Sequence, residues 1–280
     1  MATLVIIIHD YDAFLVRNPA GKVDSPYLLF DVLRHLRDMG HKVELARGSK
    51  PLEGDVALLH VDSTIVEQKY LDLERHYGRT INFRTGDISK RKISKLVLAK
   101  GDTWAGPVMV KSNYNNNAFM EDLHNQGAAR IGRPLPHPGV TKGGTYQVLE
   151  SLADVDGETW SNPSLVVERF VPEEDPEGGF VLRTWVFMGS RERCTRSVTS
   201  DRISKASDIL RYEPAEVPPQ IRLERERLGF DFGKFDFVIH DGEPVLLDAN
   251  RTPGLATALL PLMKTGAPNL AEGLNELMTG

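Results

Sequence analysis

The sequence predicts an α/β N-terminal domain of the Rossmann-like kind, followed by an α+β region that forms two lobes. A chain of 280 residues has room for two or three packed subdomains. Strand-like and helix-like patterns alternate over its first third, which is typical of a parallel α/β layer, whereas the last 120 residues favour antiparallel strands. We therefore expect an N-terminal domain over residues 1–86, a small lobe over 87–170 and a large lobe over 171–280.

The elements of the N-terminal domain follow from apolar runs and capping residues. The continuous apolar run Leu4–Ile8 predicts a strand that is covered on both faces. Ser25 and Pro26 are typical of an N-cap and a first helical turn, and leucines at helical spacing extend that helix to Met39, where Gly40 ends it. The other elements predicted here are strands at Lys42–Ala46, Asp55–Val61 and Thr80–Phe83 and a helix at Ile65–His76.

The remaining two thirds begin with a basic stretch, residues 84–100, in which Asp87 is placed to cap a helix that runs to Ala99. The Asn-rich segment 112–117 and the Gly- and Pro-rich segment 132–145 are predicted to be irregular. The predicted strands are Pro107–Lys111, Ser164–Val171, Val181–Met188, Arg193–Thr199, Asp231–Ile239 and Glu243–Ala249. The predicted helices are Phe119–Ala129, Pro219–Leu228 and Pro268–Met278.

Composition excludes several classes of function. The net charge of −5 and the pI near 5.9 argue against broad binding of nucleic acid, which needs a basic surface. The single cysteine, Cys194, leaves no partner for an internal disulfide and excludes a cysteine-rich zinc site. The apolar run at the N-terminus is too short for a signal peptide or a membrane span. We expect a cytoplasmic protein with no membrane or nucleic-acid partner, and its oligomeric state stays open.

A hairpin over residues 235–250 is the most informative segment, because an Asp-Gly pair separates two strand patterns. A two-residue loop would pair His240 with Glu243 and place a carboxylate among aromatic side chains. A three-residue loop with Gly242 in the left-handed conformation pairs Ile239 with Glu243 instead. The second register separates apolar from acidic residues, so we predict it. Its apolar face carries Phe235, Phe237, Ile239, Val245, Leu247 and Ala249.

The opposite face of this predicted hairpin carries Asp236, Val238, Leu246, Asp248 and Asn250. Residues two apart on a strand project together, and diagonal neighbours across strands lie roughly 7–8 Å apart. Carboxylate and amide oxygens suit Mg²⁺, which leaves coordination positions for phosphate oxygens. The sequence therefore predicts a divalent-cation site here, against the alternative of an ordinary solvated sheet face.

These residues resemble the metal-binding end of ATP-grasp enzymes, in which an acidic residue precedes a carboxylate-x-Asn pair and a Pro-Gly loop, here Pro253-Gly254. That group includes glutathione synthetase, D-alanine–D-alanine ligase and ribosomal-protein glutamate ligases. Three upstream segments are similar in order and spacing to the family's phosphate-lysine strand, its adenine hinge and its active-site arginine strand. They are residues 107–111, 165–173 and 181–186. The resemblance spans residues 88–254 and implies that both lobes form an ATP-grasp domain.

The resemblance also implies ATP and Mg²⁺ as cofactors, with Mn²⁺ as a substitute for Mg²⁺. The implied nucleotide-binding residues are Lys95, Lys111, Glu168, Phe170, Val171, Glu173, Glu174 and Asp175. Lys92 competes with Lys95 for the second phosphate-binding position. The ribose-binding acid stays open among residues 173–175. The matching phosphate loop, residues 112–117, departs from the family because it has no glycine, although Asn tolerates left-handed backbone. Gly143-Gly144 could serve instead.

The implied catalytic residues are three arginines. Arg183 would stabilise charge on the transferred phosphoryl group, Arg202 (with Lys205) would share that work, and Arg251 would bind a substrate carboxylate. His9, Asp10 and Asp12 are further candidates for substrate contact.

The reaction that the resemblance implies is transfer of the ATP γ-phosphoryl group to a carboxylate, followed by attack of an amine on the acyl phosphate. ADP and phosphate would be released, and the substrates would be small molecules or peptides. Two alternatives stay open, namely a small-molecule kinase on the same fold and a nucleotide-binding regulatory protein without turnover.

Overall fold

The computed structural model describes the chain except residues 18–22, 143, 145, 204–205 and 255–259, and the side chains of residues 16–17, 23–24, 206 and 260–264. The strands are β1 (Thr3–Ile8), β2 (Val16–Arg17), β3 (Val23–Asp24), β4 (Lys42–Arg47), β5 (Val56–Leu59), β6 (Arg79–Ile81), β7 (Val108–Ser112), β8 (Gln147–Leu149), β9 (Leu165–Arg169), β10 (Glu173–Glu174), β11 (Phe180–Met188), β12 (Arg191–Thr199), β13 (Ile209–Pro214), β14 (Phe232–His240) and β15 (Glu243–Asn250). The α-helices are α1 (Leu28–Asp38), α2 (Gln68–Leu71), α3 (Lys90–Ile93), α4 (Phe119–Arg130), α5 (Gly157–Ser161), α6 (Pro219–Leu228) and α7 (Leu260–Thr279).

The N-terminal part is a parallel sheet in the order β4-β1-β5-β6, which confirms the predicted α/β layer. Strand β1 is buried on both faces because helix α1 covers one side and the segment around α2 covers the other. Helix α1 begins at Leu28, two residues later than predicted. Tyr27 is held extended by a bridge to Gly254, and the Ser25 hydroxyl accepts the Tyr27 N–H at 3.2 Å.

The next part is a three-stranded antiparallel sheet in the order β8-β7-β9, packed through Val108, Val110 and Val167. The predicted helix from Asp87 to Ala99 was wrong, since only α3 is helical. Beyond it the chain is extended, and the Leu98 N–H donates to the Val167 carbonyl oxygen at 2.8 Å. Pairing with the sheet therefore outweighs local helix propensity.

The last part is a six-stranded antiparallel sheet in the order β13-β12-β11-β14-β15, with β10 against β11. Trp185, Phe187 and Phe235 form a buried aromatic core under one face of it. Helix α7 packs on α1 and so joins the end of the chain to the N-terminal sheet. It begins at Leu260 rather than at the predicted Pro268, which lies inside the helix.

The hairpin β14–β15 has a different turn from the predicted one, but its acidic residues share a face as predicted. His240 pairs with Glu243 across a two-residue turn whose residues both have positive φ, so the predicted three-residue loop was wrong. A β-bulge then leaves Leu247 without a cross-strand partner and places Asp236 directly opposite Asp248. Because of the bulge, the acidic residues share a face as predicted.

The same bulge changes the apolar faces of the hairpin. Leu246, not Leu247, joins the buried aromatic core, while Val245 and Leu247 pack beside Val238 on the opposite face. The predicted placement of Val245 and Leu247 with Phe235 was therefore wrong. The outcome is that an apolar patch continues from the acidic residues along one surface of the large sheet.

No helix within the described part of the chain combines the length and the apolar character that crossing a membrane requires.

Candidate functional site

A cleft lies between the three-stranded sheet and the six-stranded sheet. One end of this cleft is apolar, and its wall there consists of Leu96, Val171, Leu182, Val238 and Leu247. An apolar wall of this kind suits a heteroaromatic base.

The other end of the cleft is charged and contains two lysine–carboxylate pairs. Lys111 Nζ lies 2.7 Å from Glu168 Oε2, and the buried Lys90 forms an ion pair with the partly exposed Asp248. Next to these, Lys234 Nζ lies 2.7 Å from a carboxylate oxygen of Asp236. Burial alone would raise the pKa of Asp248, but the Lys90, Lys234 and Lys111 ammonium groups together hold that pKa below its usual value. Three cations therefore converge on the place where phosphate groups would follow a base bound at the apolar end.

The carboxylates and the carboxamide at this end fit a hard divalent cation. Asp236 and Asp248 are cross-strand partners, and Asn250 follows on the same face of β15. Thr184 Oγ1 donates to Asp236 Oδ1 at 2.8 Å, while the Thr252 N–H donates to Asn250 Oδ1 at 2.9 Å, so both ligand groups are held in position. Their remaining oxygen lone pairs suit Mg²⁺, which takes few protein ligands. That these residues bind metal stays a prediction.

The lysine that the structure places in the cleft is Lys90, which the sequence analysis did not single out. Its side chain is 4 % exposed and it lines the cleft beside Lys111. Lys95 instead points outward, 71 % exposed, and pairs with Glu224, while Lys92 is exposed. The short helix α3 turns Lys90 inward, so sequence spacing within a longer helix was misleading.

The predicted hinge residues lie along the cleft, though in different contacts from those expected. Glu168 is buried against Lys111, with its Oε1 lacking a hydrogen-bond partner among the described residues. The Phe170 N–H donates to the Pro107 carbonyl oxygen at 3.0 Å, so that donor is engaged within the protein. Val171 contributes its side chain to the apolar wall.

Only one of the three candidate ribose acids lines the cleft. Glu173 does so, paired with Arg183 and accepting the Ile239 N–H at 2.5 Å. Glu174 is exposed. Asp175 lies outside the cleft, where Arg196 and Arg211 bind it, and the hydrogen bond from Arg196 is the main cause that lowers its pKa to about 2.

The three predicted catalytic arginines lie in different surroundings. Arg183 is held by Glu173 at the rim of the cleft. Arg202 lines the cleft, with its guanidinium carbon 5.6 Å from the centre of the Phe170 ring. Lys205 lies outside the described residues.

Arg251 is fully buried in contact with the protein's own backbone, so we expect a structural role in place of the substrate binding that the resemblance implies. Its Nη2 donates to the carbonyl oxygens of Ser63 at 2.5 Å and Val61 at 3.2 Å, and its Nη1 donates to the Thr85 carbonyl oxygen. These carbonyls belong to loops of the N-terminal domain. The guanidinium therefore joins that domain to the end of β15.

A second cavity, of about 440 Å³, lies between the N-terminal domain and the hairpin. It shares Asp248 and Tyr146 with the cleft, so the two spaces meet at the acidic face of the hairpin. Its other polar side chains are Asp62, Ser63, Thr64, Asn115, Asn116, Glu121, Lys234, Asn250 and Thr252. No periodic pattern of residues marks Asp62 or Glu121, because these residues meet only through tertiary packing. Lys234 could have been found, since it lies two residues before Asp236 on the same strand.

The phosphate-loop segment has left-handed backbone at three successive residues, with φ of 43° at Asn116, 58° at Asn117 and 60° at Ala118. Two of these are asparagines, which tolerate this conformation better than other non-glycine residues. The Asn115 N–H donates to Thr64 Oγ1 at 2.8 Å, so the loop is in contact with the N-terminal domain. The expectation that asparagine can replace glycine in the backbone is consistent with this geometry.

His9, one of the candidates for substrate contact, belongs to a buried cluster with His124 and His137, whose nearest ligand atoms lie within 4.8 Å of one another. The geometry does not suit a metal ion. The His9 Nδ1 accepts the Tyr11 N–H at 3.1 Å and the Nε2 contacts Glu67 at 3.0 Å. The His9 and His124 rings also stack, with centroids 3.5 Å apart, so their in-plane lone pairs run parallel instead of converging.

The cluster instead packs helix α4 against the end of β1. The two other candidates after β1 also have partners within the N-terminal domain. Asp10 pairs with Lys69, whereas Asp12 accepts from the Phe14 N–H at 2.9 Å.

Comparisons with known proteins agree with this architecture. No model of a known protein family matches the sequence, and no curated protein matches it. Among solved structures, D-alanine–D-alanine ligase from Bacillus anthracis is similar with a TM-score of 0.52 and 12% identity, over 98% of this chain and 96% of that one. The same enzyme complexed with ATP gives a TM-score of 0.53 and 12% identity, over 99% of this chain and 97% of that one.

A third similar structure is the macrocyclase MdnC from Microcystis aeruginosa, bound with its precursor peptide MdnA. Its TM-score is 0.50 and its identity is 11%, over 98% of this chain and 99% of that one. At such low identity, these similarities establish the fold and leave the substrates open. The chain has the ATP-grasp fold, as its motifs predicted.

Proposed function

We propose that this protein is an ATP- and Mg²⁺-dependent ligase that activates a carboxylate as an acyl phosphate and joins it to an amine. The observation that carries the proposal is that two cavities meet at one acidic hairpin face, at Asp248 and Tyr146. One cavity has an apolar wall and two lysines, Lys90 and Lys111, as a nucleotide requires, and Lys234 lies next to them on the wall of the other cavity. The other has room for further substrates next to the position of the γ-phosphate.

The side chains around the junction would act by position and charge. In the first step, a carboxylate oxygen of the substrate attacks the γ-phosphorus and the bond to the β-phosphate oxygen breaks, releasing ADP. Lys90, Lys111 and Lys234 would neutralise the phosphate charge that the reaction moves. Mg²⁺ held by Asp236, Asp248 and Asn250 would supply further charge neutralisation for the phosphate oxygens. In the second step an amine displaces inorganic phosphate from the acyl carbon.

Similar proteins support this reading of the fold. Two similar structures with a TM-score above 0.5 are those of a D-alanine–D-alanine ligase, one of them complexed with ATP. Arg202 and Glu173, which line the cleft, are our candidates for contacts to the triphosphate and the ribose.

The test is Asn250→Ala combined with Asp248→Asn, compared with Asp241→Asn as a matched control. The control residue is a turn carboxylate whose side chain is 92 % exposed, and Asn accepts its positive φ. We expect the double variant to lose about tenfold or more of the Mg²⁺-dependent gain in ATP affinity, measured calorimetrically, because two ligands are removed or weakened. Undiminished Mg²⁺-dependent binding in the double variant would remove the basis of the proposal.

Hydroxylamine distinguishes a ligase from a kinase with the same fold. It converts an acyl phosphate to a hydroxamate and leaves a phosphate ester intact. We expect hydroxamate together with ADP when a panel of carboxylic acids is supplied with ATP and Mg²⁺. Formation of a stable phosphate ester from a hydroxyl substrate, without hydroxamate, would favour the kinase.

A further inference from the structure

Two carboxylates in the second cavity have no ion-pair partner among the described residues. These are Asp62 and Glu121. The other charged side chains on the wall, Asp248 and Lys234, each have an opposite charge of their own in the cleft. The charge of Arg251 acts on both free carboxylates, but its N–H groups donate to backbone carbonyls. Asp62 and Glu121 therefore contribute negative charge to the cavity, and no positively charged group of the described residues donates a hydrogen bond to them.

Glu121 is the more informative of the two. It projects from α4 and is 1 % exposed. Its Oε1 accepts the Thr64 N–H at 2.6 Å, which fixes the orientation of the carboxylate. Its Oε2 is buried and has no hydrogen-bond partner within the described chain. A buried carboxylate oxygen without a donor is costly, so this atom marks a place where a ligand donor would be stabilised.

Asp62 lies three residues after the end of β5 and two residues before Thr64, on the same cavity wall. Its Oδ1 accepts from Thr252 Oγ1 at 2.6 Å and its Oδ2 accepts from the Tyr27 hydroxyl at 2.8 Å. Each oxygen retains a further lone pair. Burial is the main cause that raises the pKa of Asp62 to about 6, and the neighbouring Asp12 and Glu121 carboxylates add to the shift. A carboxylate of this basicity can accept a proton at neutral pH.

We propose that the second cavity binds the amine substrate as its ammonium form, with Glu121 and Asp62 as the recognising carboxylates and Asp62 as the proton acceptor. The apolar side chains of Phe14 and Met120 on the same wall would contact the group that carries the amine. This inference rests on the proposed ligase function, and it adds the charged form in which the amine binds and the residues that select it.

The chemical step balances with these groups alone. The bound ammonium transfers one proton to Asp62, and the resulting amine nitrogen attacks the acyl carbon. The C–N bond forms, the C–O bond to the phosphate breaks, and inorganic phosphate leaves with the electron pair and the second amine proton. Glu121 keeps the substrate oriented.

Calorimetric titration with amino-acid amides tests the proposal, because these probes have one ammonium group and no carboxylate. Glycinamide, alaninamide and phenylalaninamide are each compared with the N-acetylated form, in the presence of Mg²⁺ and a non-hydrolysable ATP analogue. We expect at least one free amide to bind about tenfold or more tightly than its acetylated form, since charge-assisted hydrogen bonds have that strength. The variant E121Q keeps an oxygen for the Thr64 N–H and should lose this preference. The control variant E53Q, an exposed loop substitution, should keep it.

Equal binding of every free and acetylated pair by the wild type would overturn the proposal, as would an unchanged preference in E121Q. If E121Q melts well below the wild type, D62N decides the same question, because it removes the second carboxylate. The same titrations without amides report the Mg²⁺-dependent affinity for the ATP analogue. If the wild type shows no Mg²⁺-dependent affinity for the ATP analogue, the result counts against the proposed function. If the wild type binds the analogue but does not prefer free amides to acetylated ones, the result counts against this inference only.

Discussion

Arg251 provides the sharpest test of the structure, because sequence and structure assign it different roles. We expect Arg251→Met to destabilise the protein strongly while leaving the charges in the cleft in place. Methionine fills much of the buried volume but donates no hydrogen bond. The carbonyls of Val61, Ser63 and Thr85 would then lose a donor inside the protein.

The magnitude follows from these three groups. An unsatisfied buried carbonyl costs about 1–3 kcal/mol, so three would cost roughly 3–9 kcal/mol if nothing moved. The three carbonyls lie in loops that can relax toward water, and we therefore expect a loss of about 4 kcal/mol in the free energy of unfolding. That is a large part of the roughly 5–15 kcal/mol typical of folded proteins. For a chain of this size it corresponds to a fall of roughly 8–16 °C in melting temperature.

Differential scanning fluorimetry and urea unfolding measure this loss, with Arg37→Met as the control. Arg37 is exposed on α1, so its substitution should change stability by less than about 0.5 kcal/mol. If Arg251→Met melts like the wild type and instead raises the KM of a carboxylate substrate, the structural assignment is refuted. The substrate-binding role implied by the sequence resemblance would then be restored.

Two further predictions concern the phosphate end of the cleft and the histidine cluster. Lys90→Met should weaken ATP binding about tenfold or more, because it removes a buried cation. The control Lys95→Met should leave the ATP affinity within about twofold of the wild type. Equal effects of the two substitutions in calorimetry would contradict the placement of Lys90. Burial is the main cause that lowers the pKa of His124 to about 2 and that of His137 to about 4. As the pH falls below 6.5, these histidines therefore become protonated in the unfolded chain but stay neutral in the folded chain. At pH 5 the free energy of unfolding should have fallen by about 2 kcal/mol for each histidine. His137→Asn should remove the contribution of this one histidine to the pH dependence of the urea midpoint between pH 7.5 and 5.0. The raised pKa of Asp62 changes the midpoint in the opposite direction, and it does so equally in the wild type and the variant. An unchanged pH dependence of the midpoint in the variant would contradict the assignment.

The hairpin shows which features of this protein the local sequence pattern can predict and which it cannot. Side-chain alternation placed Asp236, Asp248 and Asn250 on one face, and the structure agrees. The predicted turn was nevertheless wrong, because a bulge at Leu247 shifts the register by one residue in the middle of the strands. A bulge of this kind is stabilised by the packing of both faces, which local periodicity does not contain.

The lysines illustrate a second limit. A basic stretch was evident in the sequence, but which lysine faces the cleft depends on where the helix ends. Helix α3 ends at Ile93 because the following residues pair with β9, so Lys90 turns inward and Lys95 faces solvent. Competition between a local helix and a distant strand is decided by tertiary contacts.

What the amino-acid sequence determined by itself was the parallel α/β layer, the later antiparallel strands and the order of the motifs, because apolar periodicity and turn residues act over a few neighbouring positions. What only the tertiary structure decided was which polar groups meet across the boundary between the N-terminal domain and the lobes. Arg251 became a buried clamp, and Asp62 came to share a cavity with Glu121, through contacts between residues far apart in the chain. Whether a side chain is buried, and whether its polar atoms find hydrogen-bond partners, depends on those distant neighbours. Neither can therefore be predicted from a local sequence pattern.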